Sequence, residues 1–118
     1  MVTELPVVDV TDACCASVVG EAMDADTAAT LASKFKAIGD PTRLRLLSLV
    51  AAHEGAEACV CDLTEPVALS QPTVSHHLKV LVEAGLLTRS KRGTWSYYAL
   101  VPGALDDLAD LLRTPLTV

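Results

Sequence analysis

The sequence predicts a mainly α (α+β) fold, a winged helix-turn-helix with a two-stranded β wing. Three stretches predict it. Residues 70–81 read as a capped helix with one apolar side and one small, polar side. A shorter helical stretch, residues 60–66, ends just before it. Residues 86–100 then switch to strand composition around a basic, glycine-containing turn. With 118 residues, the chain is most economically one domain large enough for a real core.

Taken in order, residues 1–23 carry β-branched residues and a proline but no sustained period. They read as a loose acidic arm bearing Cys14 and Cys15. The folded domain is expected over residues 24–113. From Asp24 the spacing of Ala28, Leu31, Ala32, Phe35 and Ile38 is helical, and Gly39 is expected to stop the helix in a left-handed cap. Asp40 and Pro41 restart it as N-cap and first helical residue. Leu44, Leu47, Val50 and Ala51 form the expected buried stripe, with Arg43 and Arg45 reaching solvent or phosphate. Glu54-Gly55-Ala56 reads as a loop.

The short helix points Leu63 inward, and Val67-Ala68-Leu69 turns the chain into the next one. There Ser70 offers a capping oxygen, and Pro72 falls where its missing N–H has no intrahelical partner. Val74, Leu78, Leu81 and Val82 share the core side. Ser70, Gln71, Thr73, Ser75, His76 and Lys79 lie at the leading tip or round the other side. Hydroxyl, amide, imidazole and ammonium groups on an exposed helix suit base edges and phosphates in a major groove. Gly85 ends the helix. The hairpin that follows places Arg89 on its first strand and Lys91-Arg92-Gly93 at its tip, a basic wing suited to phosphate contact.

The last segment has Leu105, Leu108, Leu111 and Leu112 at helical spacing over a stretch too short to stand alone in water. It needs a partner surface. The first helix offers a second apolar stripe, so the N- and C-terminal helices together form the expected dimer interface. A dimer presents two recognition helices to two half-sites of palindromic, double-stranded operator DNA.

Charge distribution fits this reading better than total charge does. The formal net charge is −6, but residues 1–30 hold six acids and no Lys or Arg. Residues 70–98 hold Lys79, Arg89, Lys91 and Arg92 against Glu83 alone, a local +3. Phosphate contact needs local positive charge and tolerates an acidic body elsewhere. A hydrophobic fraction of 51% argues against disorder. No apolar run approaches the ~20 residues that cross a bilayer, so the expectation is a cytoplasmic protein without a membrane partner.

Four cysteines form two close pairs, Cys14-Cys15 and Cys59/Cys61. Clustered thiols in a cytosolic chain more often serve metal or redox chemistry than structural disulfides. Cys59 and Cys61 begin the helix before the recognition helix, and a helix N-terminus favours the thiolate. Thiolates are the ligands soft ions require. Two of them leave a trigonal or tetrahedral shell incomplete, and Cys14 and Cys15 can deliver the missing sulfur. His53 is expected at the surface near a helix end, and His77 on the apolar flank of the recognition helix.

The stretches Ala37-Ile38-Gly39-Asp40-Pro41-Thr42-Arg43-Leu44, Cys59-Val60-Cys61-Asp62-Leu63, Ser70-Gln71-Pro72-Thr73-Val74-Ser75-His76-His77-Leu78 and Tyr97-Tyr98-Ala99-Leu100 occur in this order. Together they resemble the ArsR/SmtB metalloregulatory repressors, most of all the arsenic-responsive members. The resemblance implies a dimeric winged-helix repressor that holds its operator without the ion and leaves when the ion binds. In one arsenic-sensing pattern a third cysteine directly follows Cys-Val-Cys-Asp-Leu, where this chain has Thr64. Other members complete the site from an N-terminal arm, often across the dimer, a part Cys14 and Cys15 can play. The family's Asp-and-His site on the last helix has no counterpart here, because no histidine follows His77.

The reading is a metalloid-responsive repressor, not an enzyme, with As(III) or Sb(III) as inducer held by thiolates among Cys14, Cys15, Cys59 and Cys61. No permanent cofactor is expected. The alternative uses all four sulfurs for Cd(II) or Pb(II). A different class is a thiol redox sensor or thiol–disulfide enzyme built on Cys59-Val60-Cys61, and a third is a winged helix that binds only protein.

Overall fold

Asp24 opens the first helix, its side chain accepting from the Thr27 N–H at 2.8 Å. The structure, a computed structural model, describes residues 22–113, so Cys14 and Cys15 lie outside the described residues. Helix α1 spans Ala25–Ile38. Gly39 follows it at φ −74°, ψ 24°, which corrects the expected left-handed cap. Space at this position is tight instead: a Cβ there would lie 3.2 Å from the Phe35 carbonyl oxygen. Asp40 then accepts from the N–H groups of Thr42 and Arg43 at 2.9 and 3.1 Å and starts α2, Pro41–Ala52.

The buried side of α2 is Leu46, Leu47 and Val50. Leu44 is 55% exposed and Ala51 is exposed, so the expected stripe was rotated. Apolar residues run almost all round this helix, and periodicity alone cannot decide which of them face inward. Arg43 also differs from expectation. Its Nε donates to the Ala37 carbonyl at 2.7 Å and its guanidinium lies 3.3 Å from His77 Nδ1, which ties α2 to the end of α1 and to the recognition helix. Arg45 is exposed.

Glu54–Ala56 is a 3-10 turn rather than an open loop, with Gly55 at φ 73°. It leads into a strand, β1, Glu57–Cys59, whose three residues are too few to show a period-2 pattern. Helix α3 spans Val60–Val67 and buries Val60 and Leu63. Ala68, in left-handed backbone at φ 55°, makes the turn. Helix α4, Gln71–Glu83, is capped by Ser70 and buries Val74, Leu78 and Leu81. Val82 is half-buried. Its end is a Schellman motif: the Leu86 N–H reaches the Leu81 carbonyl, the Gly85 N–H reaches that of Val82, and Gly85 sits at φ +82°.

The hairpin is β2, Leu87–Arg92, with β3, Trp95–Leu100. Lys91 and Arg92 pair with Ser96 and Trp95, so the turn is Gly93-Thr94 and the two basic residues belong to the strand. The wing is also wider than expected. Strand β1 pairs antiparallel with β3, and the sheet has three strands in the order β1-β3-β2. Helix α5, Ala104–Leu112, buries Leu108 and Leu111, while Leu105 and Leu112 of the expected stripe remain exposed.

The core sits where α2, α3, α4 and the sheet meet: Leu46, Val50, Leu63, Val74, Leu78, Leu81, Leu86 and Leu87 are each under 2% exposed. Helix α1 packs on α2 and α4, yet Ala28 and Ala32 on its expected apolar stripe are exposed and Leu31, Phe35 and Ile38 only half-buried. No described helix is long and apolar enough to cross a membrane.

Candidate functional site

Two groups of residues converge on α3 and α4. The first is the thiol pair. Cys59 is the N-cap of α3 and the last residue of β1, paired opposite Tyr97 of β3, and is buried. Cys61, one turn position into the helix, is exposed. Their Cα atoms are 5.1 Å apart and their sulfurs are joined as a disulfide, so a metal-binding role requires the reduced pair. The Cys61 N–H also donates to Cys59 Sγ at 3.2 Å.

Asp62 completes a capping box: its Oδ2 accepts the Cys59 N–H at 3.0 Å. That carboxylate lies with both sulfurs in a cluster no wider than 4.8 Å. The same oxygen is 3.4 Å from Nε2 of His53, the residue that caps the end of α2. Sequence reading missed Asp62 and His53 as members of this site. The first was legible, because an acid three residues after an N-cap is the capping-box signal. The second was not, since only the fold brings the end of α2 to the start of α3.

The second group is the polar side of α4 with the hairpin. Ser70, Gln71, Thr73, His76 and Lys79 are exposed and Ser75 is half-buried. Ser70 Oγ donates to Thr73 Oγ1 at 3.0 Å. His77 is half-buried against Arg43, as its flank position predicted. On the hairpin, Arg89 donates to Ser96 Oγ at 3.0 and 3.2 Å and Lys91 is exposed. Arg92 is turned the other way: it makes a fork to both carboxylate oxygens of Glu57 at 3.0 and 2.6 Å, with its guanidinium 4.5 Å from the Tyr97 ring centre. The hydrogen bonds to Glu57 raise its pKa further, against a smaller opposing effect of desolvation. Sequence reading grouped Arg92 with Lys91 and Arg89, because the acid that engages it is 35 residues away.

Electrostatics near the helix starts follow the caps. Asp40 is held below its ordinary carboxylate pKa first by the Arg43 N–H, with the Arg43 and His77 charges adding to it. Asp24 is lowered by its hydrogen bonds to Thr27.

Comparison with known proteins decides what this arrangement belongs to. The pattern of the bacterial regulatory protein, arsR family, matches residues 40–89, which run from the cap of α2 through α3 and α4 into β2. An uncharacterised helix-turn-helix transcriptional regulator of Methanocaldococcus jannaschii is 42% identical over 66% of this chain and 85% of its own length. This chain belongs to the arsR family. The arsenical resistance operon repressor of Bacillus subtilis is 45% identical over 57% of this chain, and the match spans 62% of that repressor's length. The crystal structure of the antimony-specific transcriptional repressor AntR superposes with a TM-score of 0.64 at 28% identity, covering 77% of this chain and 81% of the other.

ArsR-family members are DNA-binding transcriptional regulators, and this chain is a transcriptional repressor of that family rather than an enzyme. The thiol–disulfide enzyme alternative is set aside on that ground. The winged helix-turn-helix reading holds, with the third strand as its one architectural correction.

Proposed function

We propose that this arsR-family chain is a cytoplasmic, metalloid-responsive repressor. It binds a palindromic operator as a homodimer and is released when thiolates coordinate As(III) or Sb(III). One observation carries the reading: Cys59 and Cys61 bring their sulfurs together at the first turn of α3, the helix that packs directly on recognition helix α4. The relatives named for arsenical resistance and antimony specificity point to the same inducer class.

The donor set fits a trivalent metalloid in part. Two converging thiols supply two of the three sulfurs that such an ion takes, and Cys14 or Cys15 is the proposed third. Ligation joins the N-terminal arm to the start of α3 and biases the α3–α4 pair toward an orientation that no longer matches two operator half-sites. A ligand shifts that balance only by its different affinity for the two orientations, and tenfold release corresponds to ~1.4 kcal/mol of coupling. Ser70, Gln71, Thr73, Ser75, His76 and Lys79 contact the operator from α4; Arg89 and Lys91 do so from the wing, joined by Arg92 when it leaves Glu57.

A second reading has one observation in its favour. The Asp62 carboxylate beside both sulfurs is a further donor, for which the larger shell of a divalent ion, Cd(II) or Pb(II), has room. Against it, the same carboxylate already caps the Cys59 N–H.

The test is operator binding by the reduced chain, titrated with arsenite, cadmium, lead and zinc. X-ray absorption then separates three short As–S bonds from a four-sulfur divalent shell. Cys14→Ser/Cys15→Ser and Cys59→Ser/Cys61→Ser are expected to keep operator binding and lose release by arsenite. Unchanged release in both double variants sinks the thiol site, and release that needs an oxidant instead of an ion favours the redox sensor.

A further inference from the structure

Helix α1 and recognition helix α4 are joined by more than apolar packing. Arg43, at the start of α2, donates from Nε to the Ala37 carbonyl at 2.7 Å and reaches the Lys36 carbonyl at 3.5 Å. Its Nη1 lies 3.3 Å from Nδ1 of His77. A guanidinium only donates, so that imidazole nitrogen is the acceptor. Lys34, one turn before Ala37 on α1, donates from Nζ to the Ala84 carbonyl at 2.7 Å. The links through Lys34 and His77 are both partly buried, and both run from the C-terminal end of α1 to α4.

His77 and Ala84 lie two turns apart along α4, about 10 Å at the rise of an α-helix. One attachment fixes a position, but two at that separation also fix the direction of the axis. Apolar burial leaves this direction soft, because it is non-directional. Hydrogen bonds from charged donors are strong and depend on angle. Both side chains end on partners within the chain rather than on the polar side of α4.

We propose that Lys34 and Arg43 are positioning residues that set the angle of α4 against α1, and through it the half-site spacing the repressor accepts. The proposal rests on the dimeric repressor reading above, in which the open side of α1, with Ala28 and Ala32 exposed, joins the two protomers. In such a dimer α1 is fixed relative to the two-fold axis. The bonds that fix α4 to α1 then fix the separation and tilt of the two recognition helices. Moving a half-site by one base pair displaces it about 3.4 Å along the duplex and turns it by about a tenth of a turn. A rigidly mounted α4 cannot follow that displacement; a loosely mounted one can.

The reduced full-length chain first selects a duplex from a randomised pool. That duplex yields four probes: the native spacing, one base pair more, one base pair fewer, and a single half-site. Anisotropy reads the affinity for each. The wild type is expected to bind the native spacing at least about tenfold more tightly than either altered one. Lys34→Met/Arg43→Lys is expected to lose about tenfold on the native spacing and to stay within about twofold of the wild type on the other three probes. The salt slope is expected to hold, since no phosphate contact is removed. Lys34→Arg keeps a cationic donor and is expected to keep the discrimination. Circular dichroism checks the fold, and Lys34→Met alone replaces the double variant if that one is not folded at the assay temperature.

An equal loss on all four probes makes these residues general stabilisers of the fold and overturns the proposal. Discrimination unchanged in the folded variant overturns it as well, as does a wild type indifferent to spacing; each of these leaves the repressor reading intact. A wild-type chain that selects no duplex removes the repressor reading itself, and with it this proposal.

Discussion

Lys34 of α1 donates from Nζ to the carbonyl oxygen of Ala84 at 2.7 Å, 50 residues away at the end of the recognition helix. It places a cation at the C-terminal, negative end of the α4 dipole. Gly85 makes room for it, since a Cβ there would lie 2.8 Å from that Nζ. The first helix, whose apolar side is left partly open, is therefore linked by a charged hydrogen bond to the helix proposed to read DNA. Lys34→Met keeps the stem and removes the bond. It is expected to lower unfolding stability by about 1 kcal/mol and to weaken operator binding, as read by denaturant titration and anisotropy.

Arg43 is the second tie between these helices, reaching Ala37 and His77 at once. A lysine has one ammonium where the guanidinium has a rigid fork. Arg43→Lys is expected to destabilise the chain by about 1–2 kcal/mol, measured by thermal and denaturant unfolding, despite preserving the charge.

Asp40 makes part of the stability depend on pH. Its folded pKa is lowered, first by the Arg43 N–H, so its contribution is present above the ordinary carboxylate value of about 4 and lost as pH falls through the lower folded value. Asp24 behaves in the same sense. Asp40→Asn keeps a capping oxygen but cannot titrate there. Its denaturation midpoint is expected to fall less steeply than that of the wild type below about pH 4, with a residual slope from Asp24.

Glu57 holds Arg92 in an exposed pair, and exposed pairs add little to stability. Glu57→Gln is expected to leave unfolding nearly unchanged while freeing Arg92 for phosphate. Operator binding should then tighten at low salt, with its salt slope steeper by up to ~0.9 per protomer. An unchanged slope would show that Arg92 stays clear of the backbone even when released.

The exposed leucines of α5 bear on the proposed dimer. Leu105 is 37% and Leu112 59% exposed on the single chain, beside buried Leu108 and Leu111. Leu105→Asp/Leu112→Asp is expected to move the chain from dimer to monomer in sedimentation and to reduce operator affinity at least tenfold, because a monomer addresses one half-site. A wild-type chain that is already monomeric at working concentration would count against the dimer.

Much of this architecture was readable in the residues because the signals were local. Asp24, Asp40 and Ser70 each cap a helix through a bond to an N–H two or three positions on, and such bonds depend on neighbours in sequence. The Val74, Leu78 and Leu81 face of α4 and the pairing of the hairpin likewise follow from short-range periodicity. The thiol pair was legible as a pair for the same reason, being two residues apart.

What could not be read is what depends on distant chain. Strand β1 exists because β3 offers it a hydrogen-bonding edge, and three residues carry no pattern that announces it. Which side of α2 turns inward was decided by the surfaces of α3, α4 and the sheet, since its leucines ring the helix. Arg92 is drawn to Glu57, Arg43 to His77, Lys34 to Ala84 and His53 to Asp62 by contacts that form only once the core has closed. From sequence alone came the helix-turn-helix, the basic hairpin and the cysteines; from tertiary packing came which charges remain free to meet DNA. Backbone propensity and capping act over one or two turns, whereas a charge 35 to 50 residues away is felt only when folding has brought it within a few ångströms.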